Sequence, residues 1–161
     1  MTYVQHLIEQ YRSKGLLLDS NLLHLHLVGF VKPALIGSAR LSGFDRDDYY
    51  LLESLISEFP RLVTTAHVLT EVTNLVNDFH EAGRTAVWAD FVSHLEVIEE
   101  QSISSYEAAR RSEFRHLGLT DTVLSTFAQR FLVVSKDIRM VNYLRDNLRI
   151  DALKWVEVQG I

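Results

Sequence analysis

With 161 residues, 47% of them apolar, the chain is long enough for one domain with a substantial core and too short for two ordinary ones. It has no cysteine, which excludes disulfides, thiolate metal sites and a cysteine nucleophile. The net charge of −5 argues at first sight against a nucleic-acid partner, yet residues 104–150 carry 8 Lys+Arg against 5 Asp+Glu, a local excess of positive charge. No basic start leading into an apolar stretch follows Met1, and no apolar run nears the roughly 20 residues needed to span a bilayer. The expectation is a cytoplasmic protein with no membrane partner.

In chain order, Thr2 to Lys14 predicts an amphipathic helix with Val4, Leu7, Ile8 and Tyr11 on one side and Gly15 at its end. Residues 15–18 form a short, wholly apolar strand, the pattern of a strand buried on both faces in a parallel sheet. Leu22 to Val31 reads as a helix ending near Pro33. Lys32 to Phe44, with Gly37 and Gly43, reads as a loop. Asp45 and Asp48 start a helix that runs to about Phe59. Arg61 to Thr65 is a second strand, and Ala66 to Phe79 a helix with Val68, Leu69, Val72, Leu75, Val76 and Phe79 facing inward.

Gly83 to Val92 continues as helix, and Leu95 to Ile98 as a third strand. Ser104 to Leu117 reads as one polar helix stopped by Gly118. Thr120 caps the next, Asp121 to Arg130. Phe131 to Ser135 is the fourth strand, Ile138 to Asn147 a helix, and Lys154 to Val158 the last strand. Strands separated by helices predict a single three-layer α/β/α sandwich over residues 1–161, with a central parallel sheet of about five strands; residues 1–14 add a helix before it.

Four acids stand out in this frame: Asp19, Glu71, Asp121 and Asp137. Asp19 follows Gly15-Leu16-Leu17-Leu18, and Asp137 follows Phe131-Leu132-Val133-Val134-Ser135-Lys136. Glu71 lies in a helix, and Asp121 opens one in Gly118-Leu119-Thr120-Asp121. A parallel sheet would bring them to one end, where ligands bind. Converging carboxylates repel one another unless a cation joins them, and oxygen donors suit magnesium or manganese. Without metal, some of them should take up protons.

Leu17-Leu18-Asp19-Ser20-Asn21, Thr70-Glu71, Gly118-Leu119-Thr120-Asp121 and Val134-Ser135-Lys136-Asp137, in that order and setting, resemble the PIN-domain family of metal-dependent ribonucleases, which includes toxins of bacterial toxin–antitoxin pairs. The resemblance spans about residues 15–158. It implies a PIN-like fold, Mg2+ or Mn2+ at Asp19, Glu71, Asp121 and Asp137, single-stranded RNA as substrate, an antitoxin protein as partner of toxin members, and frequent homodimers. Asn21 and Ser135 match the family's supporting polar positions. The N-terminal helix and the generous stretch between Asp19 and Glu71 depart from many small members.

The expected chemistry is phosphodiester hydrolysis. Asp19 and Asp121 are expected as direct metal ligands, Asp137 as a ligand directly or through water, and Glu71 on a second metal or on the attacking water. Asn21 and Ser135 would fix the geometry by hydrogen bonds. Thr120 would cap its helix, whose positive end would favour ionised Asp121.

Arg110, Arg111 and Arg115 on one helix, with Lys136 and Arg139 beside the fourth acid, are candidates for RNA phosphate contact. The plainer reading is a solvated helix with Glu107 paired to Arg111. His67 and His116 lie near site segments. His24, His26, Trp88 and Trp155 read as packing or surface residues, and Asp45, Asp47 and Asp48 as helix capping and solvated charge.

The competing function is a catalytically inactive PIN-like module that binds RNA or protein. A phosphoacceptor receiver domain would need paired acids near the first strand, and a Rossmann dehydrogenase a Gly-rich turn after it; neither is present.

Overall fold

A computed structural model describes residues 1–161 and resolves the apolar runs into five strands and ten α-helices. The strands are β1 (Leu16–Leu18), β2 (Leu62–Thr65), β3 (Glu99–Gln101), β4 (Leu132–Ser135) and β5 (Ala152–Lys154). All pair in parallel, in the order β3-β2-β1-β4-β5. β1 is central, with Leu16 opposite Leu62 on one side and Leu132 on the other. Every residue of β1 and β4 is buried, as their unbroken apolar sequence requires for strands covered on both faces. Helices cover the sheet and complete the α/β/α sandwich. One cluster of 41 buried apolar side chains runs through it, so the chain has one core.

The N-terminal helix α1 (Tyr3–Tyr11) starts at a capping box between Thr2 and Gln5 and buries Val4, Leu7 and Tyr11. Gly15 then turns the chain into β1 at φ +129°, with the Arg61 carbonyl oxygen only 3.2 Å from where a Cβ would sit. Helix α2 (Ser20–Val31) is buried over most of its circumference, which explains its lack of a polar face. It packs against α3 (Arg46–Ser57), whose N-terminus is the capping box of Asp45 with Asp48. Asp48 also accepts hydrogen bonds from Trp155 Nε1 and Gln159 Nε2, so this acidic triplet caps and staples rather than forming a second site.

Gly29 of α2 faces Tyr49 of α3 so closely that a Cβ would lie 2.3 Å from the ring. Gly29→Ala should therefore cost about 1–3 kcal/mol by overpacking, despite alanine's better helix propensity. Urea denaturation checks this; an unchanged or raised midpoint would mean that the ring gives way freely.

Helix α4 (Ala66–Val76) is capped by Thr65 and buries Val68, Val72 and Val76. Four expectations need correction. Helix α5 runs Glu81–Val97 and absorbs Leu95 to Val97, expected as strand. The true third strand, Glu99-Glu100-Gln101, is polar because it is an edge strand with no covered face to signal it. The expected helix 104–117 is broken into α6 (Ser105–Ala109) and α7 (Phe114–Leu117). Glu113, 3% exposed, lies in that break and accepts from Arg111 Nε, Ser112 Oγ and Ser125 Oγ; burying its carboxylate requires those donors, and the turn supplies two of them.

The fourth correction is at the C-terminus. Residues 154–158 are not a strand: β5 ends at Lys154, and Trp155–Val158 form the short helix α10. Between these corrections, α8 (Leu119–Phe127) precedes β4, and α9 (Ile138–Asp146) links β4 to β5. No helix is long and apolar enough to cross a membrane.

His24 of α2 is fully buried, 5.5 Å from the Phe79 ring, and neither ring nitrogen has a hydrogen-bond partner. Burial lowers its pKa to about 4, against a smaller upward pull from Asp78.

Candidate metal centre at the carboxyl end of the sheet

β1 delivers Asp19 directly to the N-cap of α2, where Oδ1 accepts from the Leu22 amide at 2.9 Å. Oδ2 accepts from Ser135 Oγ at 2.5 Å and from the Lys136 amide at 2.7 Å. Adjacent central strands therefore share one carboxylate at their carboxyl ends, the usual ligand position in an open parallel sheet. Ser135 Oγ also accepts from the Asp137 amide at 2.9 Å, so a fully buried hydroxyl ties the first acid to the backbone of the fourth. Asp137 caps α9 through Oδ1, which accepts from the Met140 amide at 3.1 Å.

Glu71 reaches the same place from α4. Its Oε2 accepts from Ser20 Oγ at 2.6 Å, leaving Oε1 free of protein partners. Ser20 is the supporting residue that the sequence did not single out. At the first position of a helix a serine reads as a start signal, and its partner is 51 residues away. Gly118, at φ +77°, turns the chain into α8, and Asp121 falls in that helix's first turn. Unlike Asp19 and Asp137, the Asp121 carboxylate takes no hydrogen bond from the protein.

All four acids line one cavity of about 320 Å³. No three Asp, Glu or His side chains are gathered into a ready-made coordination shell. The acids stand around a space rather than on a point. The donor set still fits a hard cation: it is all oxygen, and Mg2+ retains several waters while using only one or two carboxylates.

The electrostatics centre on Asp121. Burial first, then the negative charges of Asp137, Asp19 and Glu71, push its pKa up to about 7, and Arg139 pulls it down by less. The repulsion anticipated among close carboxylates thus falls on this residue. The expectation that the helix end would keep Asp121 ionised is overturned, because burial and three like charges outweigh one helix terminus. Asp19 is also pushed above the usual carboxylate range by burial, which its donors from Ser135, Leu22 and Lys136 do not fully offset.

The remaining expected site residues divide. Asn21 and Thr120 both line the cavity. The Asn21 side chain is exposed and makes no hydrogen bond within the protein, whereas Ser135 ties Asp19 to the Asp137 amide. Thr120 does not cap α8: Gly118 occupies the cap position, and Thr120 sits inside the first turn. Thr120 and Glu71 also border a side cleft with His67, whose Nε2 lies 3.0 Å from Ser105 Oγ.

Of the five cations expected at RNA phosphates, only Arg139 lines a cleft beside the acids. Arg110 lies over the Tyr106 ring. Arg111 pairs with Glu113 at 2.8 Å, not with Glu107, whose carboxylate closes a capping box on Ser104. Arg115 is exposed on α7, outside the cavity. The Lys136 ammonium turns to the Gly43 carbonyl and the Phe44 ring. The three arginines 110, 111 and 115 also fail to share a helix, because the chain breaks between α6 and α7.

Comparison of the chain with protein-family models, with characterised proteins and with solved structures gives no match.

Proposed function

We propose that this protein is an Mg2+- or Mn2+-dependent endoribonuclease acting on single-stranded RNA, with a protein inhibitor as the partner that the toxin-like resemblance implies. The observation that carries the reading is Asp121: a carboxylate with no protein partner, pressed by three like charges in an open cavity at the carboxyl end of the sheet. Such an arrangement is relieved by a proton or by a cation.

Asp19 is the rigid anchor, held by three donors from two segments, the start of α2 and the end of β4. Asp121 and Asp137, which line the same cavity, would complete the donor set, Asp121 in its deprotonated form. When bound, the cation would lower the pKa of a water and draw charge from the phosphate oxygens. Glu71, oriented through Oε2 by Ser20, accepts the proton of the attacking water on Oε1. Water adds to phosphorus, the bond to the leaving sugar oxygen breaks, and that oxygen takes a proton from solvent.

The test is cleavage of an end-labelled single-stranded RNA with Mn2+, with EDTA, and with the Asp121→Asn variant. Cutting lost in both controls supports the nuclease. Binding without cutting supports the inactive RNA-binding module, and neither binding nor cutting removes both readings. Independently, Mn2+ at a hundredfold its dissociation constant should stabilise the fold by about 2.7 kcal/mol. Because protons compete for Asp121, the affinity should rise about tenfold per pH unit below about 7 and level off above it. A melting temperature indifferent to Mn2+ at pH 8 would remove the metal site.

A further inference from the structure

Beside the acid cavity, and sharing Leu117 with it, lies a second cleft of about 290 Å³ between α7 and α9. Its wall holds His116 stacked on Tyr143, ring centroids 5.3 Å apart and planes 29° from parallel. His116 is exposed, while Tyr143 is half-buried against the core, so the histidine ring is the outer member of a supported stack. Asn142, Asp146 and Asn147 line the same cleft, and so does Arg139, whose charge also reaches Asp121. An aromatic platform, amide and carboxylate groups at its edge, and one cation toward the acids form the composition that binds an unstacked nucleobase with its phosphate.

We propose that the His116–Tyr143 cleft is a nucleobase subsite that holds the nucleotide next to the phosphate placed at the acids. This deepens the nuclease reading and rests on it for the orientation of the chain, but not for the binding itself. His116 offers its outer face to the base. Asn142 and Asn147 supply amide donors and acceptors to the base edge, and Asp146 only accepts. The edge therefore favours bases with an exocyclic amino group over uracil, whose edge is one N–H between two carbonyls. Arg139, which lines this cleft and whose charge reaches Asp121, is the cation available to the connecting phosphate.

The experiment is an NMR titration of the full chain, without divalent cation, with 5′-GMP, 5′-AMP, 5′-CMP, 5′-UMP and ribose 5-phosphate at millimolar concentration. Saturable shifts of the His116 and Tyr143 rings and the Asn142 amide are expected with GMP, AMP and CMP, and weaker ones with UMP. Ribose 5-phosphate should produce none there, and His116→Ala, an exposed change, should abolish them. Equal shifts with ribose 5-phosphate, or none with any nucleotide, would overturn the subsite.

If RNA is cut, His116→Ala should also raise KM about fivefold or more, the loss of one stacked base, with kcat little changed. Nucleotide shifts without RNA cleavage would remove the nuclease and leave the subsite. Cleavage without nucleotide shifts would do the reverse.

Discussion

Asp121→Asn should give a protein that is more stable without metal and unable to cut RNA. The two effects have one origin. The folded chain holds the Asp121 proton up to a pH of about 7, against an ordinary value of 3.8, because burial and three nearby acids oppose its charge. At about 1.4 kcal/mol per tenfold change in proton affinity, the ionised carboxylate costs the fold about 4 kcal/mol above that pH. Asparagine has the same shape and no charge. In EDTA at pH 8 the variant should gain stability approaching that amount, and the gain should fade toward pH 4.

The same substitution removes the donor that a cation needs. The Mn2+-induced rise in melting temperature should disappear, and cleavage should fall by about a hundredfold or more. Asp19→Asn is a poorer test. Its Oδ2 accepts from two donors and its Oδ1 from a third, so an amide nitrogen at either place faces an N–H or O–H and should destabilise the fold. If Asp121→Asn proves less stable than wild type at pH 8 in EDTA, the carboxylate is being held rather than repelled, and the proposed site loses its basis.

The sheet's centre was legible because it obeys a strong rule. Leu16 to Leu18 and Leu132 to Val134 are apolar without interruption, as strands covered on both faces must be. The edge strand Glu99–Gln101 obeys no such rule, and the apolar Leu95 to Ile98 just before it drew the expectation forward. Asp19 and Asp137 stood out as acids just past apolar strands, and the structure has them cap the following helices while lining the cavity. What stayed hidden depends on pairings distant in sequence. Ser20 meets Glu71 across 51 residues, and His116 meets Tyr143 between two different helices. Arg111 was a candidate for phosphate or for Glu107, and the buried Glu113, two residues on, takes it instead. The proton affinity of Asp121 ran opposite to its local signal, because a helix start is a one-turn effect and burial among like charges is a tertiary one.

His24 should set an acid limb of stability that Asp121 masks in the wild-type protein. In the unfolded chain His24 takes a proton near its ordinary value of 6.5; in the folded one, buried and without a partner, it does so only near 4. Its contribution is fully present above 6.5 and is lost as pH falls through that window, by about 3 kcal/mol. Asp121 acts with the opposite sign. The unfolded chain releases its proton near 3.8 while the folded chain keeps it to about 7, so stability rises as pH falls between those values. From pH 6.5 to 4 these two contributions nearly cancel. His24→Leu should gain stability relative to wild type on acidification, by about 3 kcal/mol at pH 4 beyond any difference at pH 8, because it removes the group that must stay uncharged. Asp121→Asn should lose its advantage over the same range. Urea titrations in EDTA at pH 8, 6 and 4, read as variant minus wild type, report His24 apart from the acid site, whereas the Asp121→Asn difference also carries the acids coupled to Asp121. If the His24→Leu difference is independent of pH, the imidazole reaches solvent before it protonates. The buried, partnerless environment assigned to it would then be wrong.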